Sequence, residues 1–521
     1  MPRLVIDNRE VEAPNGSTIL DAAAKLGIEI PTMCFLKGQK PLTSCMVCVV
    51  RVAGIAKLVP ACGTIAGEAM QVETNSDEVR QARRAALELM LSEHVGDCMG
   101  PCQVTCPAQM DIPLMIRQIA GGRLGEAIAT VKRDIALPAV LGRICPAPCE
   151  RACRRGQFDT AVSICLLKRY AADLDLESED PYMPACRPGV NKAVAIVGAG
   201  PAGLAAAYYL LQKGYACTMF DEHEKVGGML EYGVPEEQLP REVLAAEIAL
   251  IQKLGLKFRG RTRIGGDISL KELCGDFDAV FLAVGELKAG GEQWPGLEIK
   301  DGAVVINPRT YETAMPAVFA GGDVVRKRRL TVRAVADGKE AATAIDQFLS
   351  GAEVTGVVRE FNCHIGRLRD TEMERFLVSA SRAARVSASG KDGGFTNEQA
   401  RAEAARCLHC DCRKPQECKL RRYSGEYGAK ARRYKSELPL FSPEVQHPDI
   451  IYESGKCIRC GLCIQITAEA KEELGLTFIG RGFETRVAVP FDHTIAEGLK
   501  RTAQRCVEAC PTGALAFKQK F

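Results

Sequence analysis

The chain has 521 residues, 47% of them hydrophobic, which is enough for two to four domains with sizeable cores. Its 68 lysines and arginines nearly balance 65 aspartates and glutamates, so charge gives no argument for a nucleic-acid partner. The stretch Met1–Asp7 lacks the apolar run of a signal peptide, and no window has the ~18 apolar residues that span a bilayer, so we expect a cytoplasmic protein without a membrane span. In a reducing cytosol, its 24 cysteines then predict metal binding rather than disulfides.

Residues 1–76 are predicted to form a small β-rich domain. Leu4–Asp7 and Val11–Ala13 alternate as hairpin strands do, and Ser17 opens a capped helix. Two irons bridged by two sulfides need four thiolates, and the predicted loops carry Cys34, Cys45, Cys48 and Cys62. We expect a [2Fe–2S] cluster here, with a structural zinc ion as the alternative. The spacing and the stretch Ile30-Pro-Thr-Met-Cys34 resemble the N-terminal ferredoxin-like domain of iron-only hydrogenases and of the large iron–sulfur subunit of respiratory complex I, which implies a β-grasp fold.

Residues 77–190 are predicted to be a helical region with two interleaved cysteine sets. The first set reads His94-x3-Cys98-x3-Cys102-x3-Cys106-Pro. The second set consists of Cys145, Cys149, Cys153 and Cys165. A Cys-Pro after a cysteine run is typical of bacterial two-cluster folds, in which the last cysteine serves the other cluster. We therefore expect two [4Fe–4S] clusters with crossed ligation.

The stretches Gly142–Cys153 and Asp111-Ile-Pro resemble a domain shared by three enzymes. These are the small subunit of bacterial glutamate synthase, the NADPH-binding subunit of ferredoxin-dependent transhydrogenase and dihydropyrimidine dehydrogenase. The resemblance implies one cluster on Cys98, Cys102 and Cys153 and another on Cys106, Cys145 and Cys149.

Both of these clusters lack a fourth ligand. The family has a cysteine upstream of Cys98, where this chain has only His94. A ligand role for His94 competes with that of an ordinary helix-surface histidine. The usual Glu or Gln of the second cluster is replaced by Lys168, and Cys165, three residues earlier, is the expected substitute.

Residues 191–352 are predicted to form a Rossmann-like dinucleotide-binding domain, which the resemblance given below identifies as FAD-binding. A short apolar strand runs into a Gly-x-Gly-x-x-Gly turn and an Ala-rich helix, and a second strand ends in Asp221. Such glycines let the backbone approach a pyrophosphate at a helix N-terminus, and the acid binds a ribose hydroxyl. The candidate nucleotide-binding residues are Gly198, Gly200, Pro201, Ala202, Gly203, Asp221 and Glu222.

Three further stretches, 226–235, 283–285 and 319–323, resemble the FAD domain of the same family. The resemblance places further residues around the flavin, with the positive end of a helix aimed at the isoalloxazine: Gly227, Gly228, Gly285, Gly322, Asp323, Thr331 and Val332. A bare NAD-binding fold is the alternative. In the family, an NADPH-binding domain with its own glycine fingerprint lies between the positions of Gly285 and Phe319. Only residues 286–318 stand there in this chain, without a second fingerprint, so we expect most of that domain to be missing.

Residues 353–450 are predicted to be helical and linker-like, with a Ser/Gly-rich break at 387–394. They hold four closely spaced cysteines, for which a [4Fe–4S] cluster competes with zinc: Cys407, Cys410, Cys412 and Cys418. We expect His409 to lie beside this site without ligating the metal.

Residues 451–521 resemble a bacterial ferredoxin domain with one [4Fe–4S] cluster on Cys457, Cys460, Cys463 and the remote Cys510. Thr467 stands where a two-cluster ferredoxin has another cysteine, so the second cluster is expected to be lost. Five isolated cysteines are unassigned and are read as small buried hydrophobes: Cys186, Cys217, Cys274, Cys363 and Cys506.

These elements predict a multidomain α/β and α+β oxidoreductase with FAD, one [2Fe–2S] cluster and about four [4Fe–4S] clusters. No hydrolytic arrangement stands out, and no catalytic residue is assigned. We expect an electron-transfer subunit of a soluble complex, of formate dehydrogenase, hydrogenase or transhydrogenase type, in anaerobic metabolism. The expected partners are an NAD(P)H–flavin subunit, a formate dehydrogenase or hydrogenase catalytic subunit, and ferredoxin. The alternatives are a glutamate-synthase-like NAD(P)H oxidoreductase small subunit and an electron-carrying scaffold with a structural FAD.

Overall fold

The computed structural model describes residues 1–287, 294–434, 438, 441 and 443–518, with the backbone alone at 483. The chain divides into two compact units, and each is built from separate stretches of sequence. Unit 1 comprises Met1–Met99, Glu360–Val378 and Cys410–Lys520, and unit 2 comprises Gly100–Arg359 and Ser379–His409. The five domain ranges predicted from the sequence stay predictions.

The described residues form 17 strands and 19 α-helices. The strands are β1 (Arg3–Ile6), β2 (Arg9–Glu12), β3 (Val49–Val52), β4 (Val59–Pro60), β5 (Gln71–Glu73), β6 (Ala193–Val197), β7 (Ala216–Phe220), β8 (Lys257–Arg259), β9 (Ala279–Leu282), β10 (Ile299–Lys300), β11 (Ala303–Val304), β12 (Val318–Ala320), β13 (Pro443–Glu444), β14 (Ile450–Glu453), β15 (Thr477–Ile479), β16 (Arg486–Ala488) and β17 (Leu515–Phe517).

The helices are α1 (Ile19–Lys25), α2 (Asp77–Ser92), α3 (Pro101–Thr105), α4 (Ile112–Ala120), α5 (Leu124–Asp134), α6 (Pro138–Ile144), α7 (Pro148–Arg151), α8 (Ile164–Leu176), α9 (Pro201–Gln212), α10 (Met229–Tyr232), α11 (Arg241–Lys253), α12 (Leu270–Asp276), α13 (Thr331–Leu349), α14 (Asp370–Leu377), α15 (Asn397–Ala404), α16 (Lys419–Glu426), α17 (Leu462–Glu469), α18 (Ile495–Gly498) and α19 (Ala503–Ala509). Short 3₁₀ turns occur at Arg154–Gln157, Gly322–Val324, Lys391–Gly393, Ser454–Lys456, Gly482–Glu484 and Pro490–Asp492.

Unit 1 begins with a five-stranded sheet in the order β2–β1–β5–β3–β4. The strands β1 and β5 are parallel, and the other neighbours are antiparallel. Leu4 and Ile6 of β1 are buried, because side chains two apart on a strand share a face. The helix α1 starts behind a capping box at Thr18 and buries Ile19, Ala22 and Ala23 in the same core.

A second part of unit 1 carries the C-terminal cysteines. It contains a three-stranded antiparallel sheet in the order β13–β14–β17 and a hairpin of β15 and β16. The helices α17 and α19 pack against each other, and α19 packs against β17. Ile450, Ile466 and Val507 lie in their shared core, so both helices are fixed by apolar contacts.

Unit 2 contains a five-stranded parallel sheet in the order β12–β9–β6–β7–β8. Its central strand β6 is almost continuously apolar because helices cover both faces of such a sheet. The long helix α13 packs along α9. Gly338 permits this packing, since a Cβ there would lie 2.2 Å from the Ala202 carbonyl oxygen.

The remainder of unit 2 is helical. The helix α4 packs on α5 and α15, and α6 packs on α8. The predicted mixed α/β architecture is confirmed. Among the helices within the described residues, none is long and apolar enough to cross a bilayer.

Candidate functional site

The predicted nucleotide-binding glycines meet at the carboxyl edge of the parallel sheet of unit 2. Gly198 follows β6 with a φ of +105°, and a Cβ there would lie 2.3 Å from the Ala283 carbonyl oxygen. Gly227 donates its N–H to the Ala199 carbonyl at 2.9 Å. A Cβ at Gly228 would lie 2.8 Å from the Gly200 Cα. The loops after β6 and β7 are therefore in direct backbone contact, which side chains would prevent.

The remaining loops of this edge come from β9 and β12. Gly322 follows β12, and a Cβ there would lie 3.0 Å from the Ala202 Cβ. Pro201, Ala202 and Gly203 form the first turn of α9, and a Cβ at Gly203 would lie 2.0 Å from the Gly198 carbonyl oxygen. Gly200 differs, since a Cβ there would meet open space. Gly285 follows β9 with a φ of +79° and also faces open space.

Asp221, directly after β7, is hydrogen-bonded to the backbone of the glycine turn. Its carboxylate accepts the Ala199 N–H at 2.7 Å and the His223 N–H at 2.8 Å. The neighbouring Glu222 is exposed and forms a weak ion pair with Arg263 at 3.8 Å. Of the two predicted acids, only Asp221 is thus tied to the backbone of the fingerprint.

The first turn of α13 contains Thr331 and the buried Val332, as the sequence predicts. Asp323 lies half-buried before it and accepts the Arg329 N–H at 3.2 Å. Burial raises the pKa of the Asp323 carboxyl. The sequence did not single out Asp337, which is buried and accepts hydrogen bonds from the Tyr311 hydroxyl at 2.9 Å and the Gly322 N–H at 3.2 Å. Asp337 therefore holds the loop after β12 in place through its hydrogen bond with Gly322.

The four N-terminal cysteines converge in unit 1. The Cys48 and Cys62 sulfurs lie 3.4 Å apart, and all four thiols are buried. A hydrogen bond from Cys45 lowers the pKa of Cys34 to about 5, and one from Cys62 lowers the pKa of Cys48 to about 7. The hydrogen bond with Cys48 and burial raise the pKa of Cys62, and the charges of Cys48, Cys34 and Cys45 act in the same direction. Four desolvated thiols that share protons in this way suit a metal centre that takes thiolates.

The C-terminal cysteines line one small apolar cavity of about 20 Å³ in unit 1. Its walls include Cys457, Cys460, Cys463, Cys510 and Tyr452. Burial raises the pKa of the Cys457 thiol to about 11 and raises those of Cys460 and Cys463 further.

Thr467 has a structural role beside this cavity. It is buried, and its hydroxyl accepts the Leu476 N–H at 3.2 Å. The hydroxyl therefore fixes the chain that follows α17.

Cysteines of the helical region group around a buried lysine in unit 2. Cys165 is in hydrogen-bonding contact with Cys145 and Cys149. Burial lowers the pKa of Lys168, but Cys165, Cys145, Cys149 and Cys106 outweigh it, and the net shift is upward. The sequence selected Cys165 as the substitute ligand of this set, and the structure brings it to the same group.

Cys102 and Cys153 belong to the other half of this region. Cys102 lies in α3, and Cys153 follows α7, which packs against α3. Arg155 donates to the Arg406 carbonyl at 3.0 Å. Arg406 precedes Cys407, which packs against the core of unit 2. Cys407 thus belongs to the same unit as Cys102 and Cys153, whereas Cys410, Cys412 and Cys418 belong to unit 1.

Cys98 lies beside Cys363, which sequence reasoning left unassigned. The Cys363 N–H points at the Cys98 sulfur at 3.5 Å. These residues are 265 positions apart, so no spacing motif could reveal the pair.

The two histidines near the cysteines lie in different units. The Nδ1 of His94 in unit 1 is buried and finds no hydrogen-bond partner in the described part of the chain. Burial, and then the charge of Lys456, lower the pKa of His94 to about 4, so the ring is neutral at pH 7. His409 is buried at the end of unit 2. Metal ligation by His94 stays a prediction.

The other isolated cysteines are placed as ordinary side chains. Cys217 is buried in β7 and Cys506 is buried in α19, whereas Cys274 is half-buried and Cys186 is exposed, so the expectation of burial is wrong for Cys186. Across the described residues, no three His, Cys, Asp or Glu side chains have the arrangement that holds a metal ion. The ligands of a single metal ion lie closer together than the ligands of a cluster, because cluster thiolates bind different irons.

Three family models match consecutive parts of the chain. Residues 3–77 match "2Fe-2S iron-sulfur cluster binding domain". Residues 72–180 match "Dihydropyrimidine dehydrogenase domain II, 4Fe-4S cluster". Residues 196–243 match "NAD(P)-binding Rossmann-like domain". The iron–sulfur and Rossmann-like domains predicted from the sequence are confirmed at this level.

Two similar curated proteins match about a third of the chain. NADPH-Fe(3+) oxidoreductase subunit beta of Geobacter sulfurreducens is 46% identical over 189 residues, which are 36% of this chain and 28% of the relative. NADP(+)-dependent formate dehydrogenase subunit beta of Moorella thermoacetica is 42% identical over 206 residues, which are 36% of this chain and 29% of the relative. The chain therefore spans less than a third of the length of these relatives.

A third relative is matched over most of its length. The NAD-dependent dihydropyrimidine dehydrogenase subunit PreT of Escherichia coli O157:H7 is 31% identical over 283 residues, which are 51% of this chain and 67% of the relative. The similarities converge on one family, which also includes a glutamate synthase small chain. The chain belongs to the glutamate synthase small-chain and PreT family of oxidoreductase subunits with iron–sulfur and Rossmann-like domains.

Proposed function

We propose that this chain is an electron-transfer subunit of a multisubunit oxidoreductase that carries FAD and iron–sulfur clusters. The observation that carries the proposal is the convergence of buried thiols into separate groups in a chain that also presents a glycine edge for a dinucleotide. When bound, the flavin exchanges electrons in pairs or singly, and the clusters exchange them singly.

The glycine edge of unit 2 fits the dinucleotide part of FAD. Gly200 leaves open space at the N-terminus of α9, where the partial positive charge of a helix favours a pyrophosphate. The carboxylate of Asp221 lies at the end of β7, in the position for a ribose hydroxyl. The first turn of α13, Thr331 and Val332, opens at the same edge and would stabilise negative charge on a flavin ring.

The thiol groups fit clusters rather than structural disulfides. Cys34, Cys45, Cys48 and Cys62 would hold [2Fe–2S] in a β-grasp domain. Cys457, Cys460, Cys463 and Cys510 would hold [4Fe–4S] in a ferredoxin-like domain. With the helical region and the cysteines after Arg406, we retain about four [4Fe–4S] clusters as the full complement.

The segment between β9 and β12 bears on whether this chain or a partner subunit binds the nicotinamide nucleotide. Residues 288–293 lie outside the described residues; in the described remainder, the chain forms a hairpin of two-residue strands, β10 and β11, and no helix. Trp294 and Val304 pack onto the core beside the sheet. This supports a missing NADPH-binding domain.

We therefore propose that a partner handles the nicotinamide. The proposed partners are an NAD(P)H–flavin subunit, a formate dehydrogenase or hydrogenase catalytic subunit and ferredoxin, in a cytoplasmic complex. Relatives named as beta subunits of a formate dehydrogenase and of an NADPH-Fe(3+) oxidoreductase support this proposal.

Substitution of Gly200 tests the flavin assignment. In Gly200→Ala the methyl group meets no protein atom within 4 Å, and the φ of −81° suits alanine. The methyl group would instead meet the pyrophosphate. We expect the full chain, isolated anaerobically, to keep its circular dichroism spectrum and iron content and to lose most of its FAD, measured by flavin fluorescence after denaturation.

The matched control is Gly125→Ala, another glycine with open space around its Cβ, located in α5. It should keep both FAD and iron. A Gly200→Ala chain with its full FAD content would contradict the flavin site, and a wild-type chain without iron, sulfide or flavin would contradict the proposed function as a whole.

A further inference from the structure

We infer that Cys98, Cys363, Cys412 and Cys418 together hold a four-iron cluster in unit 1. The inference rests on the proposed function, since it assigns one cluster within that electron-transfer subunit. It regroups cysteines that the sequence divided between two other sets, and it gives a ligand role to the isolated Cys363.

Reciprocal hydrogen bonds join the loops that carry Cys98 and Cys363. The Cys98 N–H donates to the Cys363 carbonyl at 3.4 Å, and the Cys363 N–H points back at the Cys98 sulfur at 3.5 Å. On either side, the Met99 N–H donates to Asn362 Oδ1 at 3.1 Å, and the Ile365 N–H donates to Asp97 Oδ1 at 2.9 Å. These four hydrogen bonds hold the two loops together and keep the Cys98 and Cys363 thiols in hydrogen-bonding contact.

Cys412 and Cys418 approach the same point from the third segment of unit 1. The Cys412 N–H donates to the Cys98 carbonyl at 3.3 Å. Cys418 caps α16, and its sulfur accepts the Arg421 N–H at 3.4 Å. The Arg421 side chain donates to the Phe361 carbonyl at 2.9 Å, two residues before Cys363. Three stretches of chain that are distant in sequence are therefore tied together around four sulfurs.

The four cysteines are enclosed as cluster ligands are. Their exposed fractions lie between 5% and 9%. Cys98, Cys363 and Cys418 share one apolar core with Leu87 and Leu420. The sulfur of Cys412 lies 2.3 Å from the position that a Cβ would take at Gly513, so only glycine leaves room for this thiol.

The surrounding charge favours thiolates. Lys456 is buried, and its ammonium group pairs with Glu453 at 2.6 Å. Its Cδ lies 3.9 Å from the Cβ position at Gly513 that Cys412 also approaches. A buried cation beside four thiols suits an anionic centre.

The set adjoins the C-terminal cysteines of the same unit. The Lys419 N–H, next to Cys418, donates to the Pro511 carbonyl at 2.9 Å, next to Cys510. Cys460, in turn, lies in the same core as Cys34. The four-iron cluster would therefore extend a series of thiol groups through unit 1, which gives it a place in electron transfer.

Iron loss on substitution of Cys363 tests the inference. The full chain is isolated anaerobically as wild type, Cys363→Ala, Cys418→Ala and the double variant, and iron, acid-labile sulfide, zinc and the EPR spectrum of the dithionite-reduced protein are measured. We expect each single variant to lose about four irons and the same EPR signal, and the double variant to lose no more than either single one.

The matched control is Cys217→Ala, a buried isolated cysteine in β7, which should retain all iron. Circular dichroism and the iron remaining in the other clusters show whether the variants fold. Full iron and an unchanged EPR spectrum in Cys363→Ala would overturn the inference. The proposed function would still stand in that case, because the wild-type chain would contain iron. Zinc in place of iron at this set, or additive iron losses in the double variant, would also overturn it.

Discussion

Two buried lysines stand beside groups of thiols, one in each unit. Lys168 is 4% exposed and Lys456 is 2% exposed. An ammonium group without water is costly unless negative charge lies nearby. For Lys456 that charge includes Glu453 and Cys412, and for Lys168 it comes from four cysteines. Each lysine is therefore placed to compensate the negative charge of a thiolate centre.

We expect removal of the Lys168 charge to lower the reduction potential of the cluster proposed on Cys106, Cys145, Cys149 and Cys165. A cation stabilises the reduced, more negative state, and charges about 6 Å apart interact by about 3 kcal/mol at an effective dielectric constant of about 20. For one electron that is roughly 100 mV. We expect Lys168→Met to shift the midpoint downward by an amount of this order in an EPR-monitored titration. The exposed Lys271→Met serves as the control, and equal midpoints in the two variants would contradict this role of Lys168.

Two cysteines, Cys165 and Cys363, show which candidate ligands can be predicted from the sequence and which cannot. Cys165 could be selected because it lies in the same helical region as Cys145 and compensates for a lysine at the family's ligand position. Cys363 could not, because it stands alone in its segment and meets Cys98 only through the fold. Spacing motifs detect ligands on one loop, whereas ligands brought together by distant hydrogen bonds leave no local pattern.

At the scale of elements, short helices position the cysteines. The helix α6 ends at Ile144, directly before Cys145, and begins with buried N–H groups. Glu247 of α11 accepts the Ala139 N–H at 2.8 Å and the Val140 N–H at 2.9 Å. Its carboxylate thus caps α6 from another helix and fixes the approach to Cys145.

Loss of this cap should destabilise unit 2. Glu247→Ala leaves two buried N–H groups without acceptors, which costs about 1–3 kcal/mol for each group. We expect a lower unfolding temperature, whereas Gln252→Ala on the exposed side of α11 should have little effect. Equal unfolding temperatures for the two variants would contradict the capping role.

The Glu247 carboxyl also makes the stability of the folded state depend on pH, and the direction of that dependence follows from its raised pKa. Burial raises the pKa of Glu247 from 4.5 to about 7, although the two N–H donors oppose it. The folded state therefore binds more protons than the unfolded state between about pH 4.5 and pH 7. Its stabilising contribution is full below about pH 4.5 and is lost as the pH rises through about 7. Calorimetry across this range should show a shallower decline in Glu247→Ala, and an unchanged slope would contradict this assignment.

The elements around the nucleotide edge were the most predictable part of the fold. The turn at Gly198–Gly203 is bounded by β6 and α9 as its pattern predicts, because glycine positions and apolar strands are local signals. The close contact of Gly228 with Gly200 required the fold, since it joins loops that follow different strands.

At the scale of the whole molecule, the chain passes between its two units four times. Cys98 and Cys102 are four positions apart but belong to different units, as do Cys407 and Cys410. Cysteines that look like one motif are thereby divided, and Cys98 is grouped with cysteines at least 265 positions away. A sequence cannot show where such a crossing occurs, because the crossing depends on long-range packing of each unit.

The short segment between β9 and β12 leads to a prediction for the whole chain. We propose that a partner binds the nicotinamide, so we expect the purified chain to keep an oxidised flavin in excess NADPH or NADH under anaerobic conditions, whereas dithionite should bleach it. Stopped-flow absorbance at the flavin band measures both reactions on the same sample, and addition of an NAD(P)H-oxidising partner subunit should restore bleaching by the nucleotide. Rapid bleaching by NADPH alone would mean that a nicotinamide site exists within this chain and would favour a glutamate-synthase-like oxidoreductase. A flavin that stays oxidised with every donor while the clusters are reduced would instead mark it as structural.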